Sequence, residues 1–234
     1  MKNKTLSAIF FLSTLSLPTS AAELTLVPSI GFGFSSLNFQ PTSGLVDKAR
    51  FSIVDFALTA AYERYYVRIN AEVPLGQETT SSGGIIRQFQ REDFGLAVGY
   101  ILPANFSVFG GISSGKTSIV TYNGTDIIYT RHEDRGPFVG INYNYSVDDN
   151  AAISLSLAYA FMDGSYSRFV AGGTSTAETG KTSGLSMGVT WSDRYRNEAT
   201  YYLSYKYKSY NSVLQTRSIN KIFNILTLGF IFPT

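Results

Sequence analysis

The fold class that this sequence predicts is all-β: a transmembrane antiparallel up-and-down β-barrel of ten strands. Three observations predict it. Ile153-Ser154-Leu155-Ser156-Leu157-Ala158-Tyr159-Ala160-Phe161 puts large apolar side chains at every odd position and small or hydroxyl-bearing ones at every even position. That period of two gives a strand one wholly apolar face. The pattern recurs along the chain behind an N-terminal export signal, and the connections between its segments alternate in length, as they do in outer-membrane barrels.

The export signal comes first. Lys2 and Lys4 form a basic region, Leu6 to Leu17 is apolar apart from Ser and Thr, and Pro18-Thr19-Ser20-Ala21-Ala22 offers small residues for cleavage after Ala21 or Ala22. Its apolar run is shorter than the roughly 20 residues that a transmembrane helix needs. Residues 1–22 therefore read as a signal peptide and residues 23–234 as one barrel domain. The absence of cysteine excludes disulfides and thioether lipid attachment. No other stretch resembles a membrane-spanning helix, so a membrane span requires a closed barrel that leaves no sheet edge unpaired. Tyr 16, Phe 17, Gly 21 and a charged fraction of 15% suit a wall that is apolar outside and polar inside. A net charge of +2 is too small to argue for nucleic acid or for anionic lipid as a partner.

The strands follow in order from alternation and the connections from turn residues. The segments are Leu24–Phe39, Arg50–Tyr62, Tyr65–Leu75, Phe89–Leu102, Phe106–Tyr122, Gly136–Val147, Ala151–Asp163, Gly184–Asp193, Glu198–Tyr210 and Lys221–Phe232. Glu63-Arg64, Pro103-Ala104-Asn105, Asp148-Asp149-Asn150 and Arg194-Tyr195-Arg196-Asn197 are tight turns, assigned to the periplasmic side. The regions around Gln40–Ala49, Gly76–Gln88, Asn123–Arg135, Gly164–Ser183 and Asn211–Asn220 read as long polar loops on the exterior. Both termini then lie on the periplasmic side, which requires an even strand number. Ten satisfies this, whereas eight or twelve requires a merged or missed hairpin.

Outward positions repeat from strand to strand: Val67, Ile69, Ala71 and Val73; Phe94, Leu96, Val98 and Tyr100; Val139, Ile141, Tyr143 and Tyr145; Leu185, Met187, Val189 and Trp191. Tyr62, Tyr65, Tyr100, Phe106, Tyr143, Tyr145, Trp191 and Tyr195 gather near the short turns, as a periplasmic girdle of rings at headgroup level would. Inward positions are small, among them Gly95, Ala97, Gly99, Ser154, Ser156, Ala158 and Gly188. A soluble sandwich would invert this arrangement and expose Gly, Ala and Ser instead of Lys and Glu.

Two motifs could carry chemistry. Gly110-Gly111-Ile112-Ser113-Ser114-Gly115-Lys116-Thr117 matches the phosphate-loop pattern, but Ser118-Ile119-Val120-Thr121-Tyr122 continues as a strand where that motif needs a helix. The match reads as chance, with Lys116 reaching the outer headgroup region. His132, the only histidine, lies in Arg131-His132-Glu133-Asp134-Arg135. A rim hydrolase would use it as base, with Asp134 or Asp126 as partner, but no serine is marked as nucleophile. A solvated loop tip accounts for the same residues. One histidine and no cysteine argue against zinc, and no cofactor is expected.

Alternation also sends charged groups into the lumen: Asp55, Arg68, Glu72, Asp93, Lys206 and Lys208. They either pair across a narrow lumen and close it, or line a water-filled path. Mixed signs favour pairing, because selective pores carry rings of one sign.

Over essentially its whole mature length the chain resembles the small single-chain outer-membrane β-barrels of Gram-negative bacteria. Leu226, Leu228, Phe230 and Phe232 in the last strand match the alternating, aromatic-ended segment read by the barrel-assembly machinery in that class; Pro233-Thr234 beyond them departs from it. The resemblance implies an outer-membrane location, contact with outer-membrane lipid and assembly by that machinery. The expected role is non-enzymatic, with polar loops presented outside and a narrow or occluded lumen. A small-solute, porin-like channel is the alternative and a rim hydrolase the third reading. The sequence names no extracellular ligand.

Overall fold

A computed structural model describes residues 24–41, 47–82, 84–124, 126–173, 175–195 and 199–232. The signal segment 1–22, the turn residues Arg196 and Asn197, the side chain of Tyr195 and the terminal Pro233-Thr234 lie outside them. The elements are β1 (Thr25–Pro41), β2 (Asp47–Tyr62), β3 (Tyr65–Pro74), β4 (Glu78–Ser82), β5 (Ile85–Ile101), β6 (Phe106–Asn123), β7 (Asp126–Ser146), β8 (Ala151–Val170), β9 (Ser175–Tyr195), β10 (Ala199–Leu214) and β11 (Ser218–Ile231). Every pairing is antiparallel and joins neighbours. The sheet closes where β1 meets β11, from Ser29↔Ile231 to Pro41↔Ile219. β3 and β4 occupy one place in the wall, both against β5, so the barrel has ten staves.

Tight turns form where the backbone supplies left-handed residues. Glu63 has φ 52° in the two-residue Glu63-Arg64 turn, and Ala104 and Asn105 have φ 60° and 65° in the three-residue Pro103-Ala104-Asn105 turn. At the third turn the Asp148 carboxylate accepts from the amides of Asn150 (2.7 Å) and Ala151 (2.8 Å), closing an Asx turn.

Strands on the opposite side run further than the alternation indicates. Asn123–Arg135 and Gly164–Ser183, read as loops, are mostly strand: β7 begins at Asp126, β8 continues to Val170 and β9 starts at Ser175. Apart from the exposed Tyr129–Phe169 pair, the outer faces of these extensions are mostly polar, so their period of two carries little hydropathy signal.

The outer face divides into two zones. Along β7, Pro137, Val139, Ile141 and Tyr145 are exposed apolar residues, and Arg135 above them is exposed and charged. Pro137 to Tyr145 is nine residues, about 21 Å of height at 3.3 Å per residue and a 45° tilt, close to the roughly 25 Å apolar band of membrane barrels. At the short-turn edge Tyr65 stacks with Tyr100 (5.0 Å), Phe106 with Tyr143 (4.7 Å) and Trp191 with Tyr201 (5.3 Å). Tyr62 and Tyr145 are exposed on the same level.

Above the belt the pattern inverts. On β1, Phe32 and Phe34 face out, whereas Leu37 and Phe39 are buried inside. On β2, Phe56 and Leu58 face out and Phe51 and Ile53 face in. β5 turns from exposed Phe94 to buried Phe89, and β11 from exposed Leu226 to buried Ile225, Phe223 and Ile219. Where the wall leaves the belt, Ser36, Asn38, Arg50, Ser52, Gln90 and Asn220 take the outer positions, and the apolar side chains collect in the lumen as an ordinary buried core.

Candidate functional site

Three carboxylates stand abreast in the lumen because the register makes them neighbours: Asp55 on β2 is opposite Glu72 on β3, which is opposite Asp93 on β5. Unrelieved, that row would repel itself in a low-dielectric interior. Two lysines from β10, four staves away from β3, reach across the lumen to relieve it. The Lys206 Nζ lies 3.1 Å from Asp55 Oδ2 and 2.9 Å from Glu72 Oε1. The Lys208 Nζ lies 2.8 Å from Glu72 Oε2 and 3.9 Å from Asp93 Oδ2. Arg91 extends the ladder, donating to both oxygens of Asp93 (3.0 and 2.7 Å) and to Thr117 Oγ1 (2.7 Å), with its guanidinium 4.1 Å from the Phe223 ring centre.

A second cluster lies one layer above, beyond the belt. His132 and Asp134 (β7), Thr182 (β9), Ser212 (β10) and Lys221 (β11) are each at most 2% exposed. Asp134 forms an ion pair with Lys221 and accepts from Thr182 Oγ1 (2.8 Å) and Ser212 Oγ (3.3 Å). The His132 Nε2 lies 3.2 Å from both Ser212 Oγ and the Lys221 Nζ, and 3.7 Å from Asp134 Oδ1. Its Nδ1 is buried without a hydrogen-bond partner among the described residues, and the edge of Phe39 packs near the ring (centroids 6.1 Å apart).

Burial, then the Lys221 charge, pushes the His132 pKa down to about 3, so the imidazole is neutral at pH 7. Burial also pushes Lys221 down to about 8, against the opposing pull of Asp134. Burial acts to raise the Asp134 pKa, but Lys221 leads the neighbours that hold it below the usual range. At the far rim Glu178 accepts from Arg217 Nε (2.9 Å) and Thr216 Oγ1 (2.8 Å), tying the β10–β11 turn to β9.

His132 is therefore not on a solvated loop tip. It lies inside the barrel, because the segment read as a loop is strand and alternation sends 132 and 134 inward. Asp134 is brought to it, whereas Asp126 pairs with Asn123 at the outer end of β7. Of the six lumen charges, Asp55, Glu72, Asp93, Lys206 and Lys208 come together. Arg68 stands apart, exposed to solvent toward the short turns and without an ion pair among the described residues. Lys116 is on the outer face of β6, whose strand runs unbroken through Thr117. Arg91, Thr117, Thr182, Ser212 and Lys221 escaped the sequence reading, and the signal for them was the inverted alternation on their strands.

Chemically, Ser212 and His132 have the spacing of a nucleophile and its base. A triad carboxylate, however, orients the histidine through the ring nitrogen that does not face the nucleophile. Here serine, lysine and carboxylate all crowd Nε2, and Nδ1 has no acceptor among the described residues. Among the described residues no group of three His, Cys, Asp or Glu is arranged to hold a metal.

No protein-family model matches the sequence, and no curated protein does. Solved structures match the fold. The outer membrane protease OmpT from Escherichia coli is 12% identical, with 90% of this chain and 97% of that chain covered and a TM-score of 0.70. The translocator domain of the autotransporter NalP from Neisseria meningitidis is 9% identical over 97% of this chain and 92% of its own, with a TM-score of 0.49. Ail, the attachment invasion locus protein of Yersinia pestis, is 13% identical over 88% and 98%, with a TM-score of 0.38. The match to OmpT shows that the chain has the fold of that outer-membrane β-barrel.

Proposed function

We propose that this chain is an integral outer-membrane β-barrel, non-enzymatic and closed to solute flow, whose role is to hold a rigid strand-built rim outside the membrane. In this reading the signal peptide is removed near Ala21 or Ala22, the barrel-assembly machinery recognises Leu226, Leu228, Phe230 and Phe232, and the belt contacts lipid. The observation that supports it is the pairing of lumen side chains across the barrel. The Asp55–Lys206–Glu72–Lys208–Asp93–Arg91 ladder crosses the barrel, and the buried core of Leu37, Phe39, Phe89, Ile219, Phe223 and Ile225 lies with it. A conducting path would require opposite charges to stand apart with water between them. From Gly136 to Asp126, β7 extends eleven residues past the belt, about 25 Å at the same rise and tilt, enough to carry the rim clear of the headgroups.

The test is electrical. Purified protein in a planar bilayer, folded as judged by heat-modifiable gel migration, should give no stable single-channel steps. Steady conductance by the unaltered protein would favour the channel instead.

One observation favours a second reading: the 3.2 Å contact between Ser212 and His132. Hydrolysis of an ester or peptide that disappears in Ser212→Ala, with folding intact, would establish it. Burial of both residues and the partnerless Nδ1 weigh against it.

A further inference from the structure

At the upper edge of the belt the register builds a row of alternating charge on the outer wall. Arg135 on β7 is opposite Asp163 on β8, which is opposite Lys181 on β9. The side chains of Lys181 and Asp163 are 86% and 76% exposed, and their ion pair measures 2.5 Å. Arg135 is exposed and makes no ion pair among the described residues, since the carboxylate opposite it is taken. The neighbouring Glu133 is occupied by Arg131, whose Nε donates to it at 2.8 Å.

Between these groups the wall is hollowed by a cleft of about 510 Å³, lined by Glu133, Arg135, Asp163, Ser165, Thr179 and Lys181. The next outward residues toward the belt are Pro137 and Phe161, followed by Val139 and Tyr159, all exposed. At the same level β10, β11 and β1 present neutral Asn211, Asn220, Asn224 and Asn38. Lys48 and Arg50 on β2, opposite Asn38 and Ser36, are exposed cations elsewhere on the wall, and what sets the β7–β9 row apart is the cleft between its charges.

We infer that this cleft binds the phosphorylated headgroup of a membrane lipid, resting on the reading above that the apolar belt is embedded in a bilayer. Arg135 provides a planar fork suited to phosphate oxygens and Lys181 a second cation. The Ser165 and Thr179 hydroxyls are donors within the cleft, and the acyl chains lie down the wall over Phe161, Tyr159 and Val139. Placement at the polar–apolar boundary is what distinguishes a lipid from a soluble anion: the headgroup meets the cations only when its chains meet the apolar rings. Asp163 opposes binding, because it occupies Lys181 and repels phosphate.

The test uses the full mature barrel in a neutral maltoside detergent, titrated with phosphatidic acid, phosphatidylcholine or inorganic phosphate and read by native mass spectrometry. Retention of about one phosphatidic acid per barrel, weakened at least tenfold in Arg135→Ala/Lys181→Ala and strengthened several-fold in Asp163→Asn, is the expected result. Lys48→Ala/Arg50→Ala, which removes exposed cations of β2 elsewhere on the wall, should leave retention unchanged. Equal retention of phosphatidylcholine, equal retention by the Arg135/Lys181 double variant, or weaker retention in Asp163→Asn overturns the inference. So does inorganic phosphate binding as tightly as the lipid, which would mark a free-anion site. Heat-modifiable migration of each variant reports the barrel separately, so a lipid-binding failure is distinct from a failure of the membrane reading.

Discussion

Replacing His132 with Gln should remove a specific acid sensitivity from the barrel. The glutamine keeps a polar group near Lys221 and Ser212 but does not titrate. In the unaltered protein His132 has an ordinary unfolded pKa of 6.5 and a folded pKa near 3. Its folded pKa is depressed, so between these values the unfolded chain binds the extra proton and the folded chain does not. The stability associated with a neutral His132 is therefore complete above pH 6.5 and is lost progressively as pH falls toward 3. At 1.36 kcal/mol per pH unit, the loss is about 2 kcal/mol at pH 5 and approaches about 5 kcal/mol only below pH 3. Denaturant unfolding in detergent, followed by the single tryptophan, Trp191, measures it at pH 7 and pH 5. Comparing the two proteins at each pH cancels most of the carboxylate titration they share. The stability difference between them should shift by about 2 kcal/mol in favour of His132→Gln on going from pH 7 to pH 5. A difference that stays constant across that range would refute the buried, neutral histidine.

Other expectations follow from the same packing. Lys221→Met strands the Asp134 carboxylate and should cost about 3–5 kcal/mol in the same unfolding assay, whereas Lys221→Met/Asp134→Leu should recover most of the loss. Lys206→Ala leaves Asp55 without its cation and should lower stability by a similar amount, since both acids it serves are buried. A Cβ at Gly99 would lie 2.1 Å from the Tyr66 ring, so Gly99→Val should displace that ring and cost about 1–3 kcal/mol, visible as a lower denaturant midpoint.

The ten-stave barrel was legible because lipid enforces a contrast that sequence displays. Leu155, Leu157, Tyr159 and Phe161 face outward to the apolar belt, while Ser154, Ser156 and Ala158 are half-buried on the lumen wall. The lumen charges of the belt were legible for the same reason, since Lys206 and Lys208 alternate with outward Leu203, Tyr205 and Tyr207. The upper half was not. In Asp126–Arg135, water wets the outer face, so Arg131, Glu133 and Arg135 alternate with His132 and Asp134 without contrast, and the strand resembles a loop. The His132–Lys221 contact joins residues 89 apart in sequence, which only the closed register brings together. The buried core was written in the phase inversion, from Phe32 and Phe34 to Leu37 and Phe39, and such a shift reads as noise until two solvents are assigned to one strand.

Occlusion of the lumen is the central claim, and the chain's lack of cysteine makes it directly measurable. Single substitutions Ser212→Cys, at a fully buried position, and Arg131→Cys, at an exposed one, give one thiol each. With the barrels in liposomes and a membrane-impermeant maleimide supplied on both faces, Arg131→Cys should label rapidly. Ser212→Cys should remain unlabelled until denaturant is added. Labelling of Ser212→Cys in the folded barrel at a rate close to that of Arg131→Cys would mean that water reaches the lumen centre, and the closed-barrel account would fail.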